Sequence, residues 1–169
     1  YKVTGVQTCA LPILIKKLLN GEIDIALLAK PVIDNSLEFM SLFNDKFLLA
    51  VNKNHNLAKK DDLKKSDINQ YKLLLLDEGH CMRDQAIEFC GQIGAGQHNF
   101  RASTIETLRQ MVISNSAITL IPEIALDNNP EIKYIKFTDI NPEREIAVFW
   151  RKSFNKKNLI RNIFTKFLL

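Results

Sequence analysis

The run Asp77-Glu78-Gly79-His80-Cys81-Met82-Arg83-Asp84-Gln85 sets a thiol between a histidine and an arginine, where a loop enters a helix-forming stretch. The thiolate, not the thiol, is the nucleophile. A free cysteine titrates near ~8.5, and helix N-terminal amides together with neighbouring cations lower that value. Position 81 therefore favours the kind of sulfur that attacks peroxide. A second thiol, Cys90, follows nine residues later. On one continuous helix nine residues advance about 13.5 Å and turn to nearly the opposite face, whereas a disulfide needs its Cα atoms roughly 4.4 to 6.8 Å apart. Oxidation of Cys81 to a sulfenic acid and its capture by Cys90 would require local refolding, which suits a redox switch. Two other readings stand beside this one. Cys90, next to Phe89 on an apolar helix face, fits a small buried hydrophobe, with Cys81 an ordinary loop thiol. The other is zinc held by His80, Cys81, Cys90 and His98, whose spacings match no usual structural site.

These residues need an α/β frame. Before them, Lys72 to Leu76 reads as a buried strand, and Cys81 to Ile93 has helix-forming content that ends at Gly94 and Gly96. Phe100 to Ala102 reads as a short strand, and Ser103-Thr104-Ile105-Glu106 matches a capping box that opens a helix with Ile105, Leu108, Met111 and Val112 on its inner face. Upstream, a short helix from Ile13 stops at Asn20-Gly21, and Ile23 to Ala29, Leu37 to Phe43 and Phe47 to Asn52 read as separate strands. The polar stretch Asn54 to Asp67 reads as a surface loop with a helical turn, and within it His55 reads as exposed and without a role. Strand Ala117 to Ile121, a short helix over Glu123 to Leu126, strands Lys133 to Phe137 and Ile146 to Arg151 and a final helix complete the order. The alternation predicts α/β architecture with mostly parallel sheets. Val148, Phe149 and Trp150 belong to an apolar strand and read as core.

Composition agrees with a globular chain of one domain or two small lobes: 169 residues, 46% hydrophobic and 25% charged. The net charge of +4 is too mild to establish nucleic-acid binding. The basic residues Lys152, Lys156, Lys157, Arg161 and Lys166 interleave with Ile160, Ile163, Phe164 and Phe167 at helical spacing, which predicts an amphipathic helix with a wet face. No apolar run approaches the roughly 18 residues of a membrane span. Signal-peptide order is absent from the start, so the cytoplasm is the expected compartment. Three cysteines, Cys9, Cys81 and Cys90, are too few for a secreted disulfide scaffold. Residues 1–13, with the string GVQTCALPI, resemble translated sequencing-adapter sequence and read as a non-native leader in which Cys9 carries no function. There is no phosphate-binding loop, no G-x-S-x-G elbow and no His-Glu metalloprotease motif, so hydrolytic catalysis has no support.

The run GHCMRDQAIEFC, followed by FRASTIETLRQMV and ITLIP, closely resembles the OxyR branch of the LysR-type transcription regulators, from about Leu14 to Phe167. The cysteine-bearing block marks that branch, since LysR effector domains in general share the fold without these two thiols. The resemblance implies a two-lobed, periplasmic-binding-protein-like (type 2) effector fold, N-terminally truncated. Residues 14–44 and 142–169 would form one lobe and residues 45–141 the other. It implies that Cys81 is the peroxidatic cysteine and Cys90 the resolving one, with His80, Arg83 and Asp84 supporting. In that family a histidine often directly precedes the Phe-Arg pair; here Asn99 precedes Phe100-Arg101 and His98 stands one place earlier. The implied function is peroxide sensing by reversible Cys81-Cys90 disulfide formation in a regulator, not an enzyme, with no cofactor. Its implied partners are hydrogen peroxide, a reducing dithiol system such as glutaredoxin or thioredoxin, and further copies in a homodimer or homotetramer. DNA would be bound only through a helix-turn-helix outside this chain. The alternative is a LysR effector domain that binds a small organic ligand, with structural thiols.

Overall fold

A computed structural model describes residues 11–77, 81–93 and 95–165, without the side chains of Cys81, Asp84, Gln92, Ile93, His98 and Asn99. His80, Cys9 and the rest of the leader up to residue 10 lie outside the described residues. The chain divides into two compact units, Lys46–Glu143 and a second made of residues 11–45 and 144–165.

In the first unit the C-terminal half of β2 (Leu37–Asn52) runs antiparallel to β6 (Ile118–Pro122) on one side and to β7 (Ile132–Phe137) on the other. Beyond β7 lies β3 (Asp62–Leu63), parallel to it; beyond β6 lie β4 (Lys72–Leu76) and then β5 (Gly96–Ala102), both parallel. Parallel neighbours need crossovers, and helices provide them: α3 (Cys81–Ile93) joins β4 to β5, and α4 (Ile105–Ile113) joins β5 to β6. Leu73, Leu74, Leu75 and Leu76 are all buried, the unbroken apolar run expected of a strand covered on both faces. They share a core with Leu49, Val51, Val112, Ile121 and Ile135. Ile68 of α2 (Lys65–Ile68) joins them.

The second unit pairs β1 (Ile25–Ala29) antiparallel with β8 (Glu143–Arg151), which neighbours β2. One face buries Leu18 of α1 (Leu11–Asn20) against Ala26, Leu28, Leu37, Ala147 and Phe149. The other places Ile160 of α5 (Lys157–Thr165) against Val148 and Trp150, whose indole N–H donates to Glu38 at 3.0 Å. Gly21 ends α1 at a φ of 80°, a left-handed conformation open to glycine, and the Arg151 guanidinium donates to the carbonyls of Leu18 and Ile23 there.

Several expectations need correction. The sheets are mixed rather than mostly parallel, because β2 and β8 bring antiparallel pairings that local periodicity does not report. The two strands expected over 37–43 and 47–52 are one, since Asn44 and Asp45 are not a turn: Asp45 is 2% exposed and accepts from Arg144 at 2.8 and 2.9 Å. Helix α4 is capped by Thr104, whose hydroxyl accepts from the Thr107 N–H at 3.1 Å, not by Ser103; Glu106 turns instead to Arg109 and Gln110. Strand β5 begins at Gly96, so it carries His98. Helix α1 begins at Leu11, inside the stretch read as leader, and Leu11 packs on the core of its unit. In α5, Ile163 is exposed.

Candidate functional site

Strands β4, β5 and β6 share a direction, so their C-terminal ends lie at one edge of the sheet, the edge where ligands of open α/β sheets gather. The Asp77 N–H donates to the Ala102 carbonyl at 2.9 Å and ties the end of β4 to the end of β5. From that tie the chain enters α3 at Cys81 and, after β5, α4 under the Thr104 cap. Cys81 is the first residue of α3, at the helix end where amides lack intrahelical partners and the helix dipole is positive. Arg83 and Asp84 share this first turn, and Arg83 is half-buried.

Cys90 sits in another environment. The stripe Met82, Ala86, Phe89 and Cys90, at helical spacing, is the buried face of α3. Cys90 is 2% exposed, and Phe89 meets the Phe137 ring edge-on at 5.3 Å between centroids. Burial pushes the Cys90 thiol up to about 11, so at neutral pH it is a protonated, packed group. The packed-hydrophobe reading of Cys90 thus describes this conformation. Because α3 is continuous from Cys81 to Ile93, the two Cα atoms are about 14 Å apart on opposite sides of the helix, roughly twice the reach of a disulfide. The structure therefore gathers Cys81, Arg83 and Asp84 on one turn and holds Cys90 away from them. His98 lies on β5. Among the described residues no cluster of potential metal ligands occurs.

Sequence reasoning missed the polar groups that hold this frame. Thr119 is buried and donates to the Leu74 carbonyl at 2.7 Å, fixing β6 to β4. Asn52 is buried and donates to the Ile113 carbonyl at 2.7 Å, fixing β2 to the end of α4. His55, expected to be exposed and idle, caps a 3-10 turn over Asn56–Lys59, its Nδ1 accepting from the Leu57 N–H at 3.2 Å. Only the Ser/Thr/Asn/His side-chain chemistry of caps hints at these roles.

Two α/β units joined by β2 and β8, with helical crossovers in the larger one, make the type 2 periplasmic-binding-like fold of a regulator's effector domain. The chain belongs to the LysR substrate binding domain family, whose profile matches residues 6–165. Within that family it is similar to proteins named OxyR and hydrogen peroxide-inducible genes activator. It is 37% identical over 142 residues to the "Hydrogen peroxide-inducible genes activator" of Haemophilus influenzae, covering 82% of this chain and 47% of that protein. The reduced form of the OxyR regulatory domain from Pseudomonas aeruginosa matches with a TM-score of 0.79 and 30% identity, over 91% of this chain and 76% of that one. The oxidized form of OxyR matches with a TM-score of 0.78 and 31% identity, over 95% and 76%. The chain spans about half the length of the curated relatives it matches. No described helix is long and apolar enough to cross a membrane.

Proposed function

We propose that this chain is the peroxide-sensing region of a LysR-type transcription regulator and that it switches through its two helix thiols. The Cys81 thiolate attacks one peroxide oxygen, the O–O bond breaks, and Cys81 sulfenic acid and hydroxide result. The Cys90 thiolate then attacks the Cys81 sulfur and expels the hydroxyl as water after proton uptake, so that one peroxide is reduced and two thiols become one disulfide. A cellular dithiol returns the pair to thiols, which makes the reaction a switch without net turnover. His80, Arg83 and Asp84 are the groups placed by the sequence to polarise peroxide and hold Cys81 ionised, with His98 on the neighbouring strand β5.

The observation that carries this reading is the single continuous helix bearing both cysteines. A bond between them requires α3 to open and Phe89 to leave its pocket, at a cost of about 1.5 to 3 kcal/mol for that ring alone. Chemistry at Cys81 is thereby converted into a change of fold around Cys90, and solved relatives exist under both reduced and oxidized names. In the longer parent, that change would alter how copies in a homodimer or homotetramer pack, and through them a DNA-binding region outside this chain.

Stoichiometric hydrogen peroxide added to the reduced chain, with peptide mapping beside Cys81→Ser and Cys90→Ser, tests the proposal. A Cys81-Cys90 disulfide absent from both variants, and sulfenic acid trapped at Cys81 in Cys90→Ser, are the expected results. Thiols that stay reduced in a folded chain would refute it and favour a small organic effector instead.

A further inference from the structure

At the other end of β4 from Cys81, the first unit contains a cavity of about 160 Å³ bounded by His55, Tyr71, Lys72, Asn115 and Ser116, with the start of β6 behind them. That volume is enough for one small polyatomic ion. The walls are set on firm structure. Lys72 and Ile118 are the first residues of β4 and β6, and Asn115 and Ser116 form the turn between α4 and β6, with Asn115 held at a φ of 57°. The Gly96 N–H donates to the Tyr71 carbonyl at 3.1 Å, and the Lys72 side chain passes close over Gly96, so that a Cβ at 96 would come within 3.2 Å of Lys72 Cγ.

The chemistry of the lining is one-sided. His55 Nδ1 accepts from the Leu57 N–H, which leaves the proton of a neutral imidazole on Nε2, a donor. Burial lowers the pKa of His55, so the neutral form is the one present at physiological pH. The His55 and Tyr71 rings stand 5.4 Å apart at 59°, and both residues line the cavity. Lys72 adds a full positive charge and has no carboxylate partner among the described residues. The Asn115 amide and the Ser116 hydroxyl complete the set, the latter already in contact with Ser114 at 2.8 Å. No Asp or Glu lines the cavity. A pocket with donors, one cation and no carboxylate is complementary to an anion with several acceptor oxygens.

We propose that this cavity binds a small oxyanion, of the phosphate or short-carboxylate class, held by Lys72 with Tyr71 and His55 as neutral donors. It lies at the opposite end of β4 from Cys81, and none of the residues that line it belongs to α3.

Titration of the reduced chain, carrying ¹⁵N-labelled histidine, with inorganic phosphate, acetate and chloride at matched ionic strength tests the site, the His55 signal being assigned through His55→Asn. Phosphate, acetate or both should move the His55 Nε2 resonance in a saturable way, with a Kd of the order of 1 mM or tighter, and chloride should not. Lys72→Met should weaken binding about tenfold or more, and Tyr71→Phe by a smaller factor. Phosphate alone would specify a tetrahedral ion; a response to both would extend the class to carboxylates. The proposal fails if neither ion gives saturation at about fifty times that concentration, if chloride acts equally, or if Lys72→Met binds as tightly as the unaltered chain.

Discussion

Replacing Gly91 with alanine asks whether α3 must come apart for the disulfide to form. Gly91 lies within α3, directly after Cys90; it is exposed, and a Cβ built on it meets nothing within 4 Å. The added methyl therefore brings neither packing nor clash. What changes is helix propensity, by about 0.5 to 1 kcal/mol in favour of alanine. That gain belongs to the dithiol state, in which the helix is intact, and is lost in a disulfide state whose Cα atoms must approach to within roughly 6.8 Å. Stabilising the dithiol by this amount raises the two-electron reduction potential by about 10 to 20 mV, which is about a 2- to 5-fold rise in the reduced-to-oxidised ratio at fixed poise. Equilibration in graded glutathione buffers, followed by acid quenching, thiol blocking and mass measurement, reads that shift as a midpoint displaced toward more oxidising mixtures. A thermal melt of the reduced chain verifies the helix gain. If Gly91→Ala raises the melting temperature of the reduced chain yet leaves the redox midpoint where it was, α3 does not open on oxidation and the switch reasoning is refuted.

Two further outcomes follow from the same geometry. Burial raises the Cys90 thiol from 9.0 to about 11, so the fold favours its protonated form; that stabilisation is complete below pH 9 and is lost as the pH climbs toward 11, which urea unfolding at stepped pH should show for the unaltered chain and much less for Cys90→Ala. Thr104→Ala removes the hydroxyl that caps α4 and should cost about 1 kcal/mol, a fall of about 2 to 4 °C in the melting temperature, whereas Thr104→Ser should restore most of it and Ser103→Ala should change little.

Much of the cysteine region is legible in the sequence because its signals are local. The bounds of α3 follow from helix formers closed by Gly94 and Gly96, the burial of β4 from four consecutive leucines, and the inner face of α4 from the spacing of Leu108 and Val112. Pairings between distant segments are a different matter. Nothing near Asn44 and Asp45 tells that a partner 99 positions away, Arg144, neutralises a buried carboxylate and lets one strand run through what resembles a turn. The choice of Thr104 over Ser103 as cap is set by where the chain leaves β5, and both hydroxyls satisfy the local pattern equally. The contact of His55 with Tyr71 is hidden for a related reason, since Tyr71 stands 16 residues later, just before β4.

The two crossover helices of the larger unit are built from different materials. Helix α4 has a side-chain cap at Thr104, the Glu106 contacts to Arg109 and Gln110, an Arg109 ion pair with Asp127 at 3.3 Å, and an Asn52 bond at its C-terminal end. Helix α3 has a glycine in its interior, no basic residue in its last turn to complement the dipole, and two further glycines immediately beyond it. Its C-terminal half buries Ala86, Phe89 and Cys90 in the core shared with β4, with Phe89 against Phe137. Burial is non-directional and can be given up in one step. The strand before α3 is fixed on both sides, by Thr119 to Leu74 and by the Asp77 tie to Ala102, so an opening of α3 can stop there without unravelling the sheet. With Cys81 at the start of α3 and the packed Cys90 near its end, the single covalent bond proposed above would exchange one local fold for another while the frame persists.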